Sequence, residues 1–124
     1  MPTIAFVGYS NKKATKLSVP STVKYGNVTY KVTSIAANAL KNNKKLKSVV
    51  IGKNVKTIGK NSFKGCKKLK SIIIKSKNIT KVSAGALKNV SSKITIKCPK
   101  GKVKKYKKLL KKKLVGYKKS WKIK

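Results

Sequence analysis

The sequence contains no aspartate, no glutamate, no histidine and, although 35 of its 124 residues are basic, no arginine. Every positively charged side chain is therefore a lysine, and the formal net charge is +35. If roughly 12% of residues are acidic in an average protein, a chain of this length lacks them all with odds of about one in ten million. Either selection for a polycation or deliberate engineering removed the carboxylates.

The missing side chains exclude most catalytic and metal sites. Without carboxylates or imidazoles there is no ordinary general acid–base pair. Two cysteines, Cys66 and Cys98, are too few for a disulfide framework or a conventional metal site. A serine or cysteine nucleophile could use a lysine of lowered pKa, but no motif places such a pair. We therefore expect no enzyme activity, no cofactor and no small-molecule substrate.

Long hydrophobic runs are also missing. No apolar run reaches the roughly 20 residues that a membrane-spanning helix needs. The segment TIAFV near the amino end is too short for the core of a signal peptide, and no basic region precedes it. We expect no signal peptide in this chain, and a chain that begins at a domain boundary.

What the sequence does contain is one pattern written twice, in residues 32–54 and 55–78. Apolar positions recur at a constant separation, equal to that between Val32 and Val55, which we call the repeat step. A fixed separation of this length is typical of a solenoid. The recurring pairs are Val32/Val55, Ile35/Ile58, Leu40/Phe63, Asn43/Cys66, Leu46/Leu69, Val49/Ile72 and Ile51/Ile74. Cys66 occupies one of these positions, so we expect a buried thiol there.

A third copy, residues 79–98, is displaced. In its first half, Val82 follows Ile58 at one position more than the repeat step. In its second half, Ile94 and Ile96 are assigned to the positions of Ile72 and Ile74, at one position less than the repeat step. This assignment predicts a shorter turn in the third repeat.

Both ends of the chain differ from the repeats. Residues 1–31 are predicted to form an N-terminal cap and half-repeat, with a strand at residues 4–7, a turn at residues 8–11 and a hairpin around Gly26-Asn27. Residues 99–124 are predicted to form a cap of one amphipathic helix over residues 100–114 and an edge strand over residues 120–124. All five segments would form a single repeat domain, residues 1–124.

Residues 32–74, VTSIAANALKNNKKLKSVVIGKNVKTIGKNSFKGCKKLKSIII, resemble the BspA-like leucine-rich repeat family, and CPKGKVKKYKKLLKKKLV is similar to the closing segment of such domains. The resemblance implies a right-handed repeat stack with a strand-lined face and no active site. It also implies a surface-exposed or secreted adhesion or binding protein. The predicted fold is mainly β with short helical turns: a leucine-rich-repeat solenoid of about three to four repeats, an N-terminal hairpin cap and a C-terminal amphipathic helix.

Two surfaces are candidates for binding. The first is the outward side of the repeated strands, with Ser48, Val50, Ser71, Ile73, Lys75, Lys93, Thr95 and Lys97. Val50 and Ile73 there either contact a partner or are ordinary β-branched strand residues. The second is the basic helix with Lys102, Lys104, Lys105, Lys107, Lys108, Lys111, Lys112 and Lys113. Its apolar stripe either covers the last layer of the core or lies on an anionic membrane.

The lysine content indicates binding to polyanions such as nucleic acid, heparin-like glycans or anionic surfaces. Without arginine, base-specific readout is not expected. Three hypotheses follow: a surface-protein repeat module that recruits polyanions, an engineered supercharged scaffold without a native ligand, and a membrane-active cationic protein that acts through its helix. We expect a monomer in each case.

A salt-dependent stability is the first testable prediction. Because lysine repulsion has no carboxylate to relieve it, adding NaCl from about 0.05 to 0.5 M should raise the melting temperature. Surface Lys→Gln substitutions should be neutral or stabilising, most clearly in low salt. Thermal unfolding followed by circular dichroism measures both effects, and a melting temperature that falls as salt is added would contradict the prediction.

Overall fold

The computed structural model describes residues 1–8 and 13–124. The turn predicted at residues 8–11 falls largely outside the described residues. The elements within them are β1 (Thr3–Phe6), β2 (Lys16–Val19), β3 (Thr22–Tyr25), β4 (Val28–Ile35), β5 (Ser48–Ile51), β6 (Thr57–Ile58), β7 (Ser71–Ile74), β8 (Lys81–Val82), β9 (Thr95–Lys97), α1 (Val103–Leu110) and β10 (Lys122–Ile123).

The strands form two sheets that run along a solenoid of about five turns. Sheet A has the order β1-β4-β6-β8, and β3 pairs antiparallel with β4. Sheet B has the order β2-β5-β7-β9-β10, and all of its pairings are parallel. The predicted fold class is confirmed. The stack has more turns than the three to four repeats predicted, because β1, β2 and β10 add strands at its ends.

In the central strands, residues separated by the repeat step pair with each other on adjacent strands. Ile35 pairs with Ile58 in sheet A, and Val49 pairs with Ile72 in sheet B. Equivalent residues therefore lie directly above one another, and their side chains alternate between the core and the outside. The positions predicted as apolar layers are buried, including Leu46, Phe63 and Leu69 at 0% exposure.

The shortened step predicted in the third repeat is wrong. Ile72 pairs with Ile96 rather than with Ile94, so the longer offset that separates Val82 from Ile58 holds in both sheets. Ile94 is also buried, in the turn just before β9. Because strand side chains alternate with a period of two, a shift by two positions leaves the same residues facing the core. The hydrophobic pattern alone does not distinguish the two registers.

A third ladder of backbone hydrogen bonds joins the turns that connect the two sheets. The Leu40 N–H donates to the Ser62 carbonyl at 2.7 Å, and the Phe63 N–H donates to the Ala86 carbonyl at 2.9 Å. Gly65 stands where φ is +81°, and a Cβ added there would lie 2.2 Å from Asn42 Oδ1. Only glycine therefore fits at this position between stacked turns.

The amino end begins the stack with β1 and carries the predicted hairpin. Tyr25 pairs with Val28, so Gly26-Asn27 is the two-residue turn. Gly26 has a φ of 61°, which the first turn residue of a type II′ hairpin requires. β1 runs parallel to β4 on the other side, with Thr3 opposite Lys31.

The carboxy-terminal helix is shorter than predicted. It ends at Leu110 because Lys111 leaves the helical region, with φ −80° and ψ 57°. Leu114, the last residue of the predicted helix, is 70% exposed, and the neighbouring Val115 is buried instead. The Val115 carbonyl accepts a hydrogen bond from the Leu87 N–H at 3.0 Å, so this segment continues the ladder of turns. Stacking on the last repeat thus overrides the helical periodicity.

The helix covers the last layer of the core. Tyr106 and Leu110 are 1% and 2% exposed. The Tyr106 hydroxyl donates to the Ser76 carbonyl and accepts a hydrogen bond from the Ile79 N–H at 3.2 Å. The predicted edge strand is present as β10, which pairs with β9.

Truncation of the central aromatic residue tests this core. Phe63→Ala should lower the free energy of unfolding by about 3–5 kcal/mol, because Phe63 is fully buried between two repeats. Tyr25→Ala is the matched control, since Tyr25 is 81% exposed, and it should change the stability by less than about 0.5 kcal/mol. Urea unfolding measures both values. Equal effects of the two substitutions would contradict the assigned register.

Candidate binding surface

The outward side of sheet B brings most of the predicted strand-face residues together. Ser48, Ser71 and Thr95 pair in one row across β5, β7 and β9. Val50, Ile73 and Lys97 pair in the next row. The inward neighbours of these residues are core isoleucines and valines, so each row faces away from the core. We call these two rows the strand face.

The strand face is longer than predicted from the sequence. In β2, Lys16 pairs with Ser48 and Ser18 pairs with Val50. In β10, Lys122 pairs with Thr95. The likeness of LSVP to the later repeated strands was the signal for β2, whereas no repeat pattern marked β10 as a further turn of the stack.

Two other predicted residues lie at the ends of the strands. Lys75 follows β7 directly and is exposed, and its N–H donates to the Ile51 carbonyl at 2.9 Å. Lys93 lies in the turn before β9, where its N–H donates to Ser91 Oγ at 3.2 Å. The shortened step predicted for the third repeat placed Lys93 in the ladder, and the observed register moves it out of the two rows.

The apolar residues of the strand face are two neighbours. Val50 pairs with Ile73, and Ile73 is 38% exposed. Paired β-branched side chains on adjacent strands shield one another and stabilise a sheet. Beside Val50 the surface forms a depression of about 180 Å³ that Ser18, Lys53 and Lys75 also line. The patch is small, and lysines border it.

The lysines predicted on the helix fall into three groups. Lys102 precedes the helix, and no side chain caps it there. Within α1, Lys104, Lys105 and Lys108 are exposed, and Lys107 is half-buried. Lys111, Lys112 and Lys113 lie beyond the helix and are exposed. Because Tyr106 and Leu110 pack on the core, the solvent side of the helix carries lysines, with Val103 and Leu109 partly exposed beside them.

The electrostatics of the whole surface have one sign. The absence of Asp and Glu means that no side-chain ion pair can form anywhere in the chain. Lysines cluster even at the turns, where Lys47, Lys68 and Lys70 line a depression of about 310 Å³. An anion that approaches any part of the surface therefore meets no competing carboxylate side chain.

The two thiols are buried and held in the neutral form. Cys66 Sγ donates to the Leu40 carbonyl at 3.1 Å. Burial raises the pKa of Cys66 from 9.0 to about 11, partly offset by a hydrogen bond from the Asn43 backbone. Burial also raises the pKa of Cys98, against the opposing effect of the nearby Lys107 ammonium. A thiol with a raised pKa is a poor nucleophile at neutral pH.

The repeat itself identifies the family. The profile of the BspA type leucine rich repeat region, in six copies, matches residues 3–110. This chain belongs to the BspA-type leucine-rich repeat family. Leucine-rich repeats of this type are typically non-catalytic binding modules. No curated protein is similar enough in sequence to count as a relative.

Two solved structures share the fold of this leucine-rich repeat chain. A leucine-rich cell surface protein of Faecalibacterium prausnitzii is 24% identical, with a TM-score of 0.64 over 80% of this chain and 33% of that protein. A leucine-rich repeat protein of Bacteroides capillosus is 22% identical, with a TM-score of 0.66 over 79% of this chain and 72% of that protein. The chain thus spans about a third of the length of the first of these proteins.

Neither a metal cluster nor a membrane helix is found within the part of the leucine-rich repeat chain that the structure describes. Residues 1–8 and 13–124 contain no group of three or more side chains that could hold a metal ion. No helix among the same residues is long and apolar enough to cross a bilayer.

The buried Cys66 thiol predicts a pH dependence of stability. Its pKa is raised on folding, so its contribution is complete below pH 9.0 and is lost as the pH rises toward about 11. The stability difference between the native protein and Cys66→Ala should therefore shrink by about 2–3 kcal/mol over this range. Lysine titration is common to both proteins and cancels. A difference that stays constant in urea unfolding from pH 8 to pH 11 would show that the thiol ionises equally in both states.

Proposed function

We propose that this chain is a non-catalytic binding or adhesion module whose polycationic surface binds polyanions by charge. The observation that carries the proposal is the strand face: two open rows of side chains, bordered by lysines, on a protein without a single acidic side chain. The partners would be nucleic acids, heparin-like glycans and other anionic surfaces. No small-molecule substrate is required, and the protein would act as a monomer.

The chemistry of lysine determines what kind of binding results. An ammonium group is a point charge that releases counterions from phosphate or sulfate without reading their arrangement. Bidentate recognition of guanine uses arginine, which this chain lacks. Of the eight aromatic residues, none lies in the two rows of the strand face, so base stacking is not supported there. The binding is therefore expected to ignore sequence.

An extracellular or cell-surface location is part of the proposal. It is supported by membership of the BspA-type family and by the fold shared with a cell surface protein of Faecalibacterium prausnitzii. A polycation at a surface would meet acidic glycans and anionic cell envelopes directly. Adhesion by charge would then need no pocket.

Of the two alternatives, membrane activity through the helix has an observation against it. Tyr106 and Leu110, the residues that would enter a bilayer, pack in the core instead. An engineered supercharged scaffold would have the same charge field and the same polyanion binding. A natural surface module and an engineered scaffold would therefore differ in biological purpose and not in the chemistry of binding.

The experiment that tests the proposal is a salt series with a labelled DNA duplex, an unrelated duplex and heparin. We expect equal affinities for the duplexes and a steep linear fall of log Kd⁻¹ with log salt, because counterion release drives the binding. Fluorescence anisotropy measures both quantities. A preference for one duplex that persists at high salt would contradict binding by charge alone, and no binding at low salt would overturn the proposal.

A pair of variants with equal charge tests the strand face as the site. Lys16→Gln/Lys75→Gln/Lys97→Gln removes three charges around the face, and Lys104→Gln/Lys105→Gln/Lys108→Gln removes three from the exposed side of α1. We expect the first variant to weaken heparin binding by about tenfold more than the second. Equal losses would show that the whole surface binds rather than this face.

A further inference from the structure

The carboxy-terminal end of the stack contains a second basic feature, which combines Lys107 and Lys111 of the helix lysines with Lys122 of the extended strand face. A cleft of about 440 Å³ lies between the end of α1 and β10. Five of its lining residues are lysines: Lys107, Lys111, Lys119, Lys122 and Lys124. It is larger than the depressions beside Val50 and at Lys47, Lys68 and Lys70, and its walls carry more ammonium groups.

Folding brings these lysines together from separate segments. Lys107 lies in α1, Lys111 and Lys119 lie in the segment that follows it, and Lys122 lies in β10. β10 pairs with β9, and α1 is fixed on the core by Tyr106, so the two walls of the cleft are anchored independently. Like charges repel across such a concavity, and low-dielectric walls concentrate the resulting field. A bound anion with several charges would relieve this repulsion.

The cleft also has an aromatic wall, Tyr117 and Trp121, which contacts one of its lysines. The rings of Tyr117 and Trp121 meet edge to face, with centroids 5.4 Å apart and an interplanar angle of 83°. Lys111 Nζ lies 5.7 Å from the centroid of the Tyr117 ring, within range of a cation–π contact. Lys111 is thus held at the cleft by a defined contact, unlike a lysine that extends freely into solvent.

Trp121 adds a hydrogen-bond donor that the protein does not use. The residue lines the cleft and is only 6% exposed. Its indole Nε1 is buried and has no hydrogen-bond partner among the described residues. A buried donor without an acceptor is costly, so the position of this ring is sensitive to what occupies the cleft beside it.

We propose that this cleft is a specific site for a compact polyvalent oxyanion, a small molecule or glycan end that carries two or more phosphate or sulfate groups. The five ammonium groups are positively charged donors, and the chain has no Asp or Glu side chain that would compete with an anion for them. The site deepens the proposed function, since it rests on the same acid-free surface. It differs from the strand face in binding one small ligand saturably.

Trp121 is the only tryptophan in the chain, so its fluorescence reports on the cleft directly. The protein is titrated with tripolyphosphate, with sucrose octasulfate and with sucrose at about 0.3 M salt, where screening weakens diffuse binding to exposed lysines. We expect a saturable change with a stoichiometry of about one for at least one of the two anions and no change with sucrose. The two anions separate phosphate from sulfate as the preferred group.

The matched variants are Lys111→Gln/Lys119→Gln in the cleft and Lys24→Gln/Lys31→Gln in the hairpin at the amino-terminal end of the stack. We expect the cleft variant to weaken the tighter anion by about tenfold or more and the hairpin variant by less than about twofold. Circular dichroism confirms that each variant is folded. If the first cleft variant is unstable, Lys119→Gln/Lys124→Gln replaces it, with the same expected loss.

The outcomes separate this proposal from the proposed function. Equal weakening by the cleft and hairpin variants, or no saturable fluorescence change with either anion, would overturn the cleft site. If heparin still binds to the protein in that case, only the cleft site fails. If heparin binding is absent as well, polyanion binding by the whole surface fails with it.

Discussion

Backbone hydrogen bonding between successive turns is the interaction on which the rest of this structure depends. A chain with a charge of +35 and no acidic side chain cannot use side-chain ion pairs, and every lysine opposes compaction. Two parallel sheets and a ladder of turns join each repeat to the next through N–H and carbonyl groups, which carry no net charge. Burial of the apolar layers between them supplies the main favourable free energy. The turn ladder even extends into the carboxy-terminal segment, where Val115 completes it.

The same architecture explains how so many lysines are tolerated. Strand alternation sends one set of side chains inward, and the lysines occupy the outward and turn positions, where their ammonium groups remain in water. Because of the stacking, residues separated by one repeat step become neighbours on adjacent strands. The repeat in the sequence therefore appears as a repeated pattern on the surface. The strand face is the result, and its breadth comes from the number of turns rather than from any single residue. The fold thus creates an extended cationic surface without a pocket.

The cleft at the carboxy-terminal end follows a different logic. Apart from Lys122, which lies in a row of the strand face, its lysines are not related by the repeat. They converge because α1 docks on the core while β10 returns to pair with β9. A single tyrosine fixes the docking of α1, because the Tyr106 hydroxyl donates to the Ser76 carbonyl and accepts from the Ile79 N–H. The helix therefore closes the core, and its docking leaves a basic concavity beside the final strand. The carboxy-terminal end of the stack therefore has a concave basic site that the repeated strands do not form.

The repeat, the apolar layers and most of the strand face are predictable from the sequence, because a stacked repeat places residues one step apart directly above one another. The pairing of Ile35 with Ile58 could be predicted for this reason. The folded structure selects the pairing of Ile72 with Ile96, which the pattern does not specify, since a strand shifted by two positions buries the same side chains. It also decided that α1 ends at Leu110 and that the cleft lysines meet. Those features depend on contacts between distant segments, which local periodicity does not encode.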